Sequence, residues 1–81
     1  MTFDYFGERK NSFPFNDFVD FISQQSHVGW EFSGMEVELD PTVDFKNETI
    51  KVRWLDLNEG FNDMVILKDK NEFLTTFRKL N

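Results

Sequence analysis

The chain has 81 residues, with 15 acidic and 9 basic side chains, a formal net charge of -6 and no cysteine. This length predicts one small domain over residues 1–81. The lack of cysteine excludes disulfides and thiolate metal sites, and it fits the reducing cytoplasm. The excess of acid disfavours direct binding to nucleic acid or to anionic membranes, and it favours a basic protein as the partner.

The N-terminal part of the chain is rich in aromatic residues. Residues 1–10 contain no apolar segment of the kind that signal peptides carry, and residues 2–6 alternate in a way that predicts a short edge strand. The first 21 positions hold seven aromatic residues: Phe3, Tyr5, Phe6, Phe13, Phe15, Phe18 and Phe21. One short helix and one edge strand can hardly bury all of them, so the alternatives are a dense aromatic core and a self-association surface.

A first helix is predicted from residue 16 or 17 to residue 27. Asn16 suits its N-cap, and apolar side chains follow at helical spacing. Gly29 suits the left-handed position just past a helix end. The segment before the helix is expected to be extended, because a residue that precedes a proline, here Pro14, avoids helical geometry.

Three antiparallel strands are predicted next. The first covers residues 30–39 with a bulge at Ser33 and Gly34, the second covers residues 49–55, and the third covers about residues 63–68. Residues 64–67 form the longest apolar run of the chain, which is too short to span a bilayer. This run indicates burial on both faces of the third strand or a neighbour on its outer face.

The register of the first two strands is predicted from charge and hydropathy together. With Val37 opposite Val52, the apolar side chains share one face and opposite charges meet on the other. The charged pairs would be Glu36 with Arg53 and Glu38 with Lys51. A slip of one residue would destroy both matches, since strand side chains alternate with period two.

The last element is predicted to be a helix. Asp69 can cap it, Glu72 can complete a capping box, and Phe73, Phe77 and Leu80 share one helical face. The predicted fold is therefore α+β: a three-stranded antiparallel sheet with two helices on one face, in the order α-β-β-β-α, with or without a short N-terminal strand.

This order of elements resembles the αβββα layout of double-stranded RNA-binding domains. Those domains carry a basic patch at the second helix, where this chain offers only Lys70, Arg78 and Lys79. The resemblance is one of topology, and RNA binding is not inferred from it.

Motifs for catalysis or metal binding are lacking in the sequence. His27, the single histidine, shares a helical stripe with two aspartates and a glutamine, which is more typical of a solvated helix face than of a zinc site. Residues 56–60 resemble the opening of a calcium loop, but glycine stands one position too early. We therefore expect no enzyme activity, no cofactor and no metal.

A cluster of acids with an aromatic residue is predicted at one end of the sheet. Its members are Glu31, Asp56, Glu59, Phe61 and Asp63. An apolar ring inside a charged rim is a common pattern at protein interfaces, so this cluster is the predicted partner-binding site. The alternative is that Phe61 packs under the last helix and the acids only solvate a turn.

The leading functional hypothesis is a small acidic inhibitory protein that occupies a basic, nucleic-acid-handling surface of another protein. In size, acidity and lack of cysteine the chain resembles the anti-CRISPR and antirestriction proteins of mobile elements and the toxin immunity proteins. This compositional resemblance implies a nuclease-like or toxin-like partner, with carboxylates in place of phosphates. The alternative is an assembly or accessory subunit, a homodimer joined through the phenylalanine-rich N-terminal region or the strand at residues 64–67.

Overall fold

Within the described residues, two helices pack on one face of a five-stranded antiparallel sheet, so the fold is α+β. The computed structural model describes residues 11–56 and 60–80, and for residues 60–62 it describes the backbone only. The elements in chain order are α1 (Phe13–Ser23), β1 (Trp30–Phe32), β2 (Met35–Asp44), β3 (Thr49–Asp56), β4 (Gly60–Leu67), α2 (Lys70–Thr76) and β5 (Arg78–Lys79). In space the strands follow the order β4-β3-β2-β1-β5. The predicted fold class is confirmed, but the predicted number of three strands is wrong.

The first helix begins earlier and ends sooner than predicted. Ser12 caps it, with its hydroxyl oxygen accepting a hydrogen bond from the N–H of Phe15. Pro14 lies in the first turn, where its missing N–H costs no intrahelical hydrogen bond. The predicted cap at Asn16 and the extended segment before it are therefore wrong. The helix ends at Ser23, well before residue 27.

A tight turn, and not a bulge, joins β1 to β2. Ser33 has a φ of 51° and Gly34 a φ of 83°. Positive φ at both central residues is what the two-residue type I′ hairpin turn requires. The turn places Phe32 opposite Met35, so the predicted single strand over residues 30–39 is folded back into two.

The register between β2 and β3 differs from the predicted one. The two strands are neighbours, as predicted, but Val37 lies opposite Asp56, and Val52 lies opposite Pro41. The offset is four positions (Asp56 instead of Val52), and because it is even, the side chains keep their predicted faces. β2 is ten residues long, and the turn at residues 45–48 closes the hairpin. This turn sets the register, whereas each cross-strand charge pair contributes only about 0.2–1 kcal/mol.

The second helix is shorter than predicted. The cap at Asp69 is confirmed, since its carboxylate accepts a hydrogen bond of 2.8 Å from the N–H of Glu72. Phe77 already has extended dihedral angles, and the two residues after it form β5 beside β1. The predicted helix through Leu80 is therefore wrong, although Phe77 is buried as its spacing indicated. The strand predicted at residues 2–6 lies outside the described residues.

An aromatic cluster fills the space between the helices and the sheet. The ring centroid of Phe73 in α2 lies 5.0 Å from that of Trp30, 5.2 Å from that of Phe77 and 6.1 Å from that of Phe18. Apolar side chains from both helices and from strands β1 to β4 complete this core. Of the N-terminal aromatic residues, Phe15 and Phe18 are buried in it, Phe21 is half-buried against it, and Phe13 is exposed. Phe3, Tyr5 and Phe6 lie outside the described residues.

Candidate partner-binding surface

The outer face of the sheet, turned away from the two helices, carries a row of exposed acids. Glu36, Glu38 and Asp40 alternate along β2 with Val37 and Leu39, which are buried in the core. Alternate residues of a strand lie on one face about 6.6–6.8 Å apart. The three carboxylates, called the acidic row below, are therefore evenly spaced, and no described helix covers them.

The strands on either side give each acid of the row a different neighbour. On β3, Arg53 lies opposite Asp40, and Leu55 lies opposite Glu38. On β1, Glu31 lies opposite Glu36. The predicted pairs of Glu36 with Arg53 and Glu38 with Lys51 are therefore wrong, because both rested on the incorrect register.

Two carboxylates of like charge meet where β1 pairs with β2. Like charges directly opposite each other destabilise a sheet, so the contact between Glu31 and Glu36 requires compensation. Arg78 of β5 supplies it, donating from Nε to Glu31 Oε1 at 2.6 Å and forming an ion pair with the same oxygen. Glu31 is thus held by a cation within the protein, while Glu36 points to solvent.

A shallow cavity lies beside the acidic row. It has a volume of about 190 Å³ and is lined by His27, Glu38, Leu39, Asp40 and Leu55. Small-molecule sites usually enclose about 300–1,000 Å³, so this cavity is too small for most metabolites. It is large enough for one side chain, with two carboxylates on its wall.

The acids of the β2–β3 turn are engaged inside the protein. The amide of Asn47, hydrogen-bonded to the carboxylate of Asp44, lowers the pKa of Asp44. The Ser12 hydroxyl, which donates to Glu48 at 2.8 Å, and the amide of Asn11 lower the pKa of Glu48. Glu48 therefore ties the turn to the start of α1 rather than offering its charge to a partner.

The sequence-predicted interface residues occupy different environments. Glu31 is half-buried and paired with Arg78, and Asp56 is only 6% exposed, on the core side of β3 opposite Val37. Asp63 is exposed, and its carboxylate accepts a hydrogen bond from the N–H of the next residue, Met64.

The two remaining members of that cluster are described in part or not at all. The backbone of Phe61 lies in β4 opposite Leu55, while its side chain and the whole of Glu59 lie outside the described residues. Asp56 lies opposite Gly60, so Asp56 and Phe61 share one end of the sheet with Glu31. The structure therefore brings these backbone positions to the same end, but it does not bring their carboxylates into one exposed cluster.

The acidic row was missed in the sequence because two of its members were assigned to cations on β3. Its signal was nevertheless present, since acids at positions 36, 38 and 40 alternate with apolar residues. Alternation of this kind places acids on one strand face whatever the register.

Comparison with family models, with curated proteins and with solved structures finds no match to this chain. Within residues 11–56 and 60–80, no group of three or more histidine, aspartate or glutamate side chains is arranged to hold a metal ion. No helix in the same part of the chain is both long and apolar enough to cross a membrane.

Proposed function

We propose that this protein is an inhibitor that covers a basic, nucleic-acid-handling surface of another protein, such as a nuclease or a toxin. The observation that carries the proposal is the acidic row, three evenly spaced and exposed carboxylates on an open sheet face. A regular line of negative charge is what a phosphate backbone presents to such a surface. The protein would act in a reducing cytoplasm, in keeping with its lack of cysteine.

The sheet offers these charges in a fixed arrangement. A carboxylate on a paired strand loses little backbone freedom when a partner binds, so the entropic cost of ordering the site is low. A cation from the partner, placed beside Glu36, would also reduce the charge repulsion between Glu36 and Glu31. The net charge of -6 would steer a basic partner toward the protein and make the association rate sensitive to salt.

The cavity beside the row gives the proposal a specific contact. An arginine or lysine side chain of the partner would place its aliphatic stem against Leu55 and its charged end between Glu38 and Asp40. Hydrogen bonds between ionised groups are about twice as strong as neutral ones, so this contact would form the centre of the interface.

The first experiment identifies and challenges a partner. Proteins retained by the immobilised chain are identified by mass spectrometry at low and high salt, and the nucleic-acid activity of each purified candidate is assayed with and without the chain. We expect a basic protein whose activity on nucleic acid is inhibited and whose binding is displaced by nucleic acid. A retained protein that binds the chain and its nucleic acid simultaneously would contradict the proposal.

The second experiment locates the interface with charge-matched variants. Glu38→Lys reverses one charge in the acidic row, whereas Asp63→Lys makes the same change at the exposed acid of the sequence-predicted cluster. We expect Glu38→Lys to abolish inhibition and Asp63→Lys to preserve it, with unchanged thermal unfolding in both. The opposite pattern would move the interface to the end of the sheet near Phe61 and reject the acidic row.

A further inference from the structure

One edge of the sheet has the features of a strand that pairs with another strand. β4 lies at the end of the strand order, so among the described strands it has a neighbour on one side only. The sequence of β4 contains one charged residue, Asp63, and neither lysine nor proline. Its side chains Met64 and Ile66 are 46% and 55% exposed on the outer face. Apolar edges are templates for further pairing, and proteins normally protect them with charge, proline, brevity or a β-bulge. β4 has a bulge at residues 62 and 63, between its pairs with Leu55 and Arg53, so the stretch with regular pairing and apolar side chains is residues 64–67.

A groove runs along the inner side of the same edge. It has a volume of about 460 Å³ and lies between β4 and α2, lined by residues 65–67 of the strand and by Asn71, Glu72, Thr75 and Thr76 of the helix. An added strand would direct alternate side chains to the two faces of the sheet. The groove therefore has room for the inward side chains of such a strand.

We propose that a second copy of this chain occupies the edge, with β4 pairing antiparallel to β4 about a two-fold axis at Val65. Directly opposite residues share a face, so only registers that place outward side chains against outward side chains are allowed. In the register centred on Val65, Met64 of each copy lies opposite Ile66 of the other. The exposed pair on one monomer becomes a four-residue apolar contact, and the interface is the self-complementary kind that two-fold dimers need.

Charge complementarity supports the same register. With Val65 on the axis, Asp63 of one copy lies opposite Leu67 of the other, at the end of the ladder where the exposed Lys68 follows β4. Side chains alternate along a strand, so Lys68 is directed to the other face from Asp63, and the two charges attract across the end of the ladder without forming a direct ion pair. The two-fold axis repeats this acid–base approach at the other end of the interface. Opposite charges thus flank an apolar centre, as in many protein interfaces.

The first test is the solution mass of the full chain by sedimentation velocity over a range of concentrations. We expect a dimer that Ile66→Lys converts to a monomer. Leu74→Lys, which adds the same charge at an apolar residue of α2 with 50% exposure, should leave the dimer intact. A parent chain that stays monomeric at all concentrations would overturn the proposal and leave the edge to an extended segment of another protein. A dimer that persists in Ile66→Lys would place the interface elsewhere and also overturn it.

The second test uses the two charges that the register brings together. Asp63→Lys and Lys68→Asp should each shift the equilibrium toward monomer, because each variant opposes like charges at both ends of the interface. An equimolar mixture of the two variants should recover the dimer mass as a heterodimer, since each now supplies the charge that the other lacks. No recovery on mixing would overturn the register.

The dimer and the inhibitory function can be tested apart. The acidic row lies on β2, two strands from the β4 edge. Ile66→Lys should therefore lose the dimer and keep inhibition, while Glu38→Lys should lose inhibition and keep the dimer.

Discussion

The two edges of this sheet are built in opposite ways. β5 contains two residues, Arg78 and Lys79, and both are exposed and cationic. β4 contains eight residues with a single charge and presents Met64 and Ile66 to solvent. Each of the two edge strands has a neighbour on one side only among the described strands. β5 has the brevity and charge that discourage a further strand, whereas β4 keeps a regular apolar stretch at residues 64–67 beyond its bulge. The tendency of an edge to pair therefore depends on its length and side chains, because the backbone chemistry is the same at both edges.

Side-chain contacts reinforce the short edge. β5 pairs with β1 at two positions, so its ladder alone is weak. Lys79 lies over the ring of Trp30 with its Nζ 5.2 Å from the centroid, and Arg78 binds Glu31. Cation–π contacts at exposed sites contribute about 0.5–1 kcal/mol, which is comparable to a surface ion pair. The charges of β5 thus add to its short ladder, which the hydrogen bond of 2.8 Å from the Leu80 N–H to the Gly29 carbonyl extends.

The largest expected effect comes from truncating Phe73, the residue that packs α2 against the aromatic core. Phe73→Ala deletes the ring that contacts Trp30, Phe77 and Phe18, and it should lower the free energy of unfolding by about 3–5 kcal/mol. Urea titration measures the loss. Leu74→Ala, at the neighbouring exposed position, should change stability by no more than about 0.5 kcal/mol. Similar losses in both variants would mean that α2 is not anchored through Phe73.

The next effect concerns the turn between β1 and β2, because β5 joins the sheet only through β1. Gly34→Ala places a Cβ at a φ of 83°, where no neighbouring atom lies within 4 Å of it, so the cost comes from the backbone alone. We expect a loss of about 1–2 kcal/mol by thermal or urea unfolding. Gly34→Asn should cost less, since asparagine tolerates the left-handed region. An alanine variant as stable as the parent would contradict the type I′ turn.

A smaller effect is expected from releasing the short edge itself. Arg78→Ala leaves Glu31 facing Glu36 without its cation, and it should lower stability by about 0.2–1 kcal/mol at low salt. Adding Glu36→Gln to this variant should restore part of the loss, because the like-charge contact then disappears. A double variant no more stable than Arg78→Ala would show that Glu31 and Glu36 do not interact.

The smallest effect is confined to acid pH and comes from the turn between β2 and β3. The hydrogen bonds from Ser12 and Asn11 lower the pKa of Glu48, so the unfolded chain binds a proton there before the folded one does. The stability due to Glu48 is therefore complete above its ordinary pKa of 4.5 and is lost as pH falls through the lower folded value. Glu48→Gln should flatten the fall of unfolding free energy below about pH 4.5. Asp44, whose pKa is also lowered, should retain the rest of the slope.

The sequence predicts which face of the sheet a side chain occupies better than it predicts which residues pair across neighbouring strands. The buried side of β2 and β3 follows from period-two alternation, which any even register preserves, so Val37 and Val52 are buried as expected. The register itself depends on the turn at residues 45–48, and local charge matching could not reveal where that turn closes. The end of α2 was missed for a similar reason. Phe77 has helical spacing from Phe73, but it reaches the same core from extended backbone.

The sequence identified the acids of the predicted cluster, but it did not reveal the environments of Asp56 and Glu31. Asp56 follows Val52 and Trp54 at strand spacing, so alternation alone puts its side chain on the core side. It was assigned to a turn because the predicted strand ended at residue 55, whereas β3 continues through Asp56. Glu31 was expected to be an exposed acid, whereas the arginine that binds it arrives on β5, an element that the sequence did not predict. The exposed row on β2 needed only alternation, so it is the part of the surface that sequence reasoning could have found.

The short, cationic β5 edge would limit the number of chains that can assemble. Counting the described strands, two copies joined at β4 would form one continuous sheet of ten strands with β5 at each outer edge. Each outer edge would then be a short cationic strand. Its positive charge would repel another copy, and two residues offer too few backbone hydrogen bonds to hold a further strand. Assembly would stop at two chains instead of continuing into a fibre, even though each monomer exposes the apolar edge of β4.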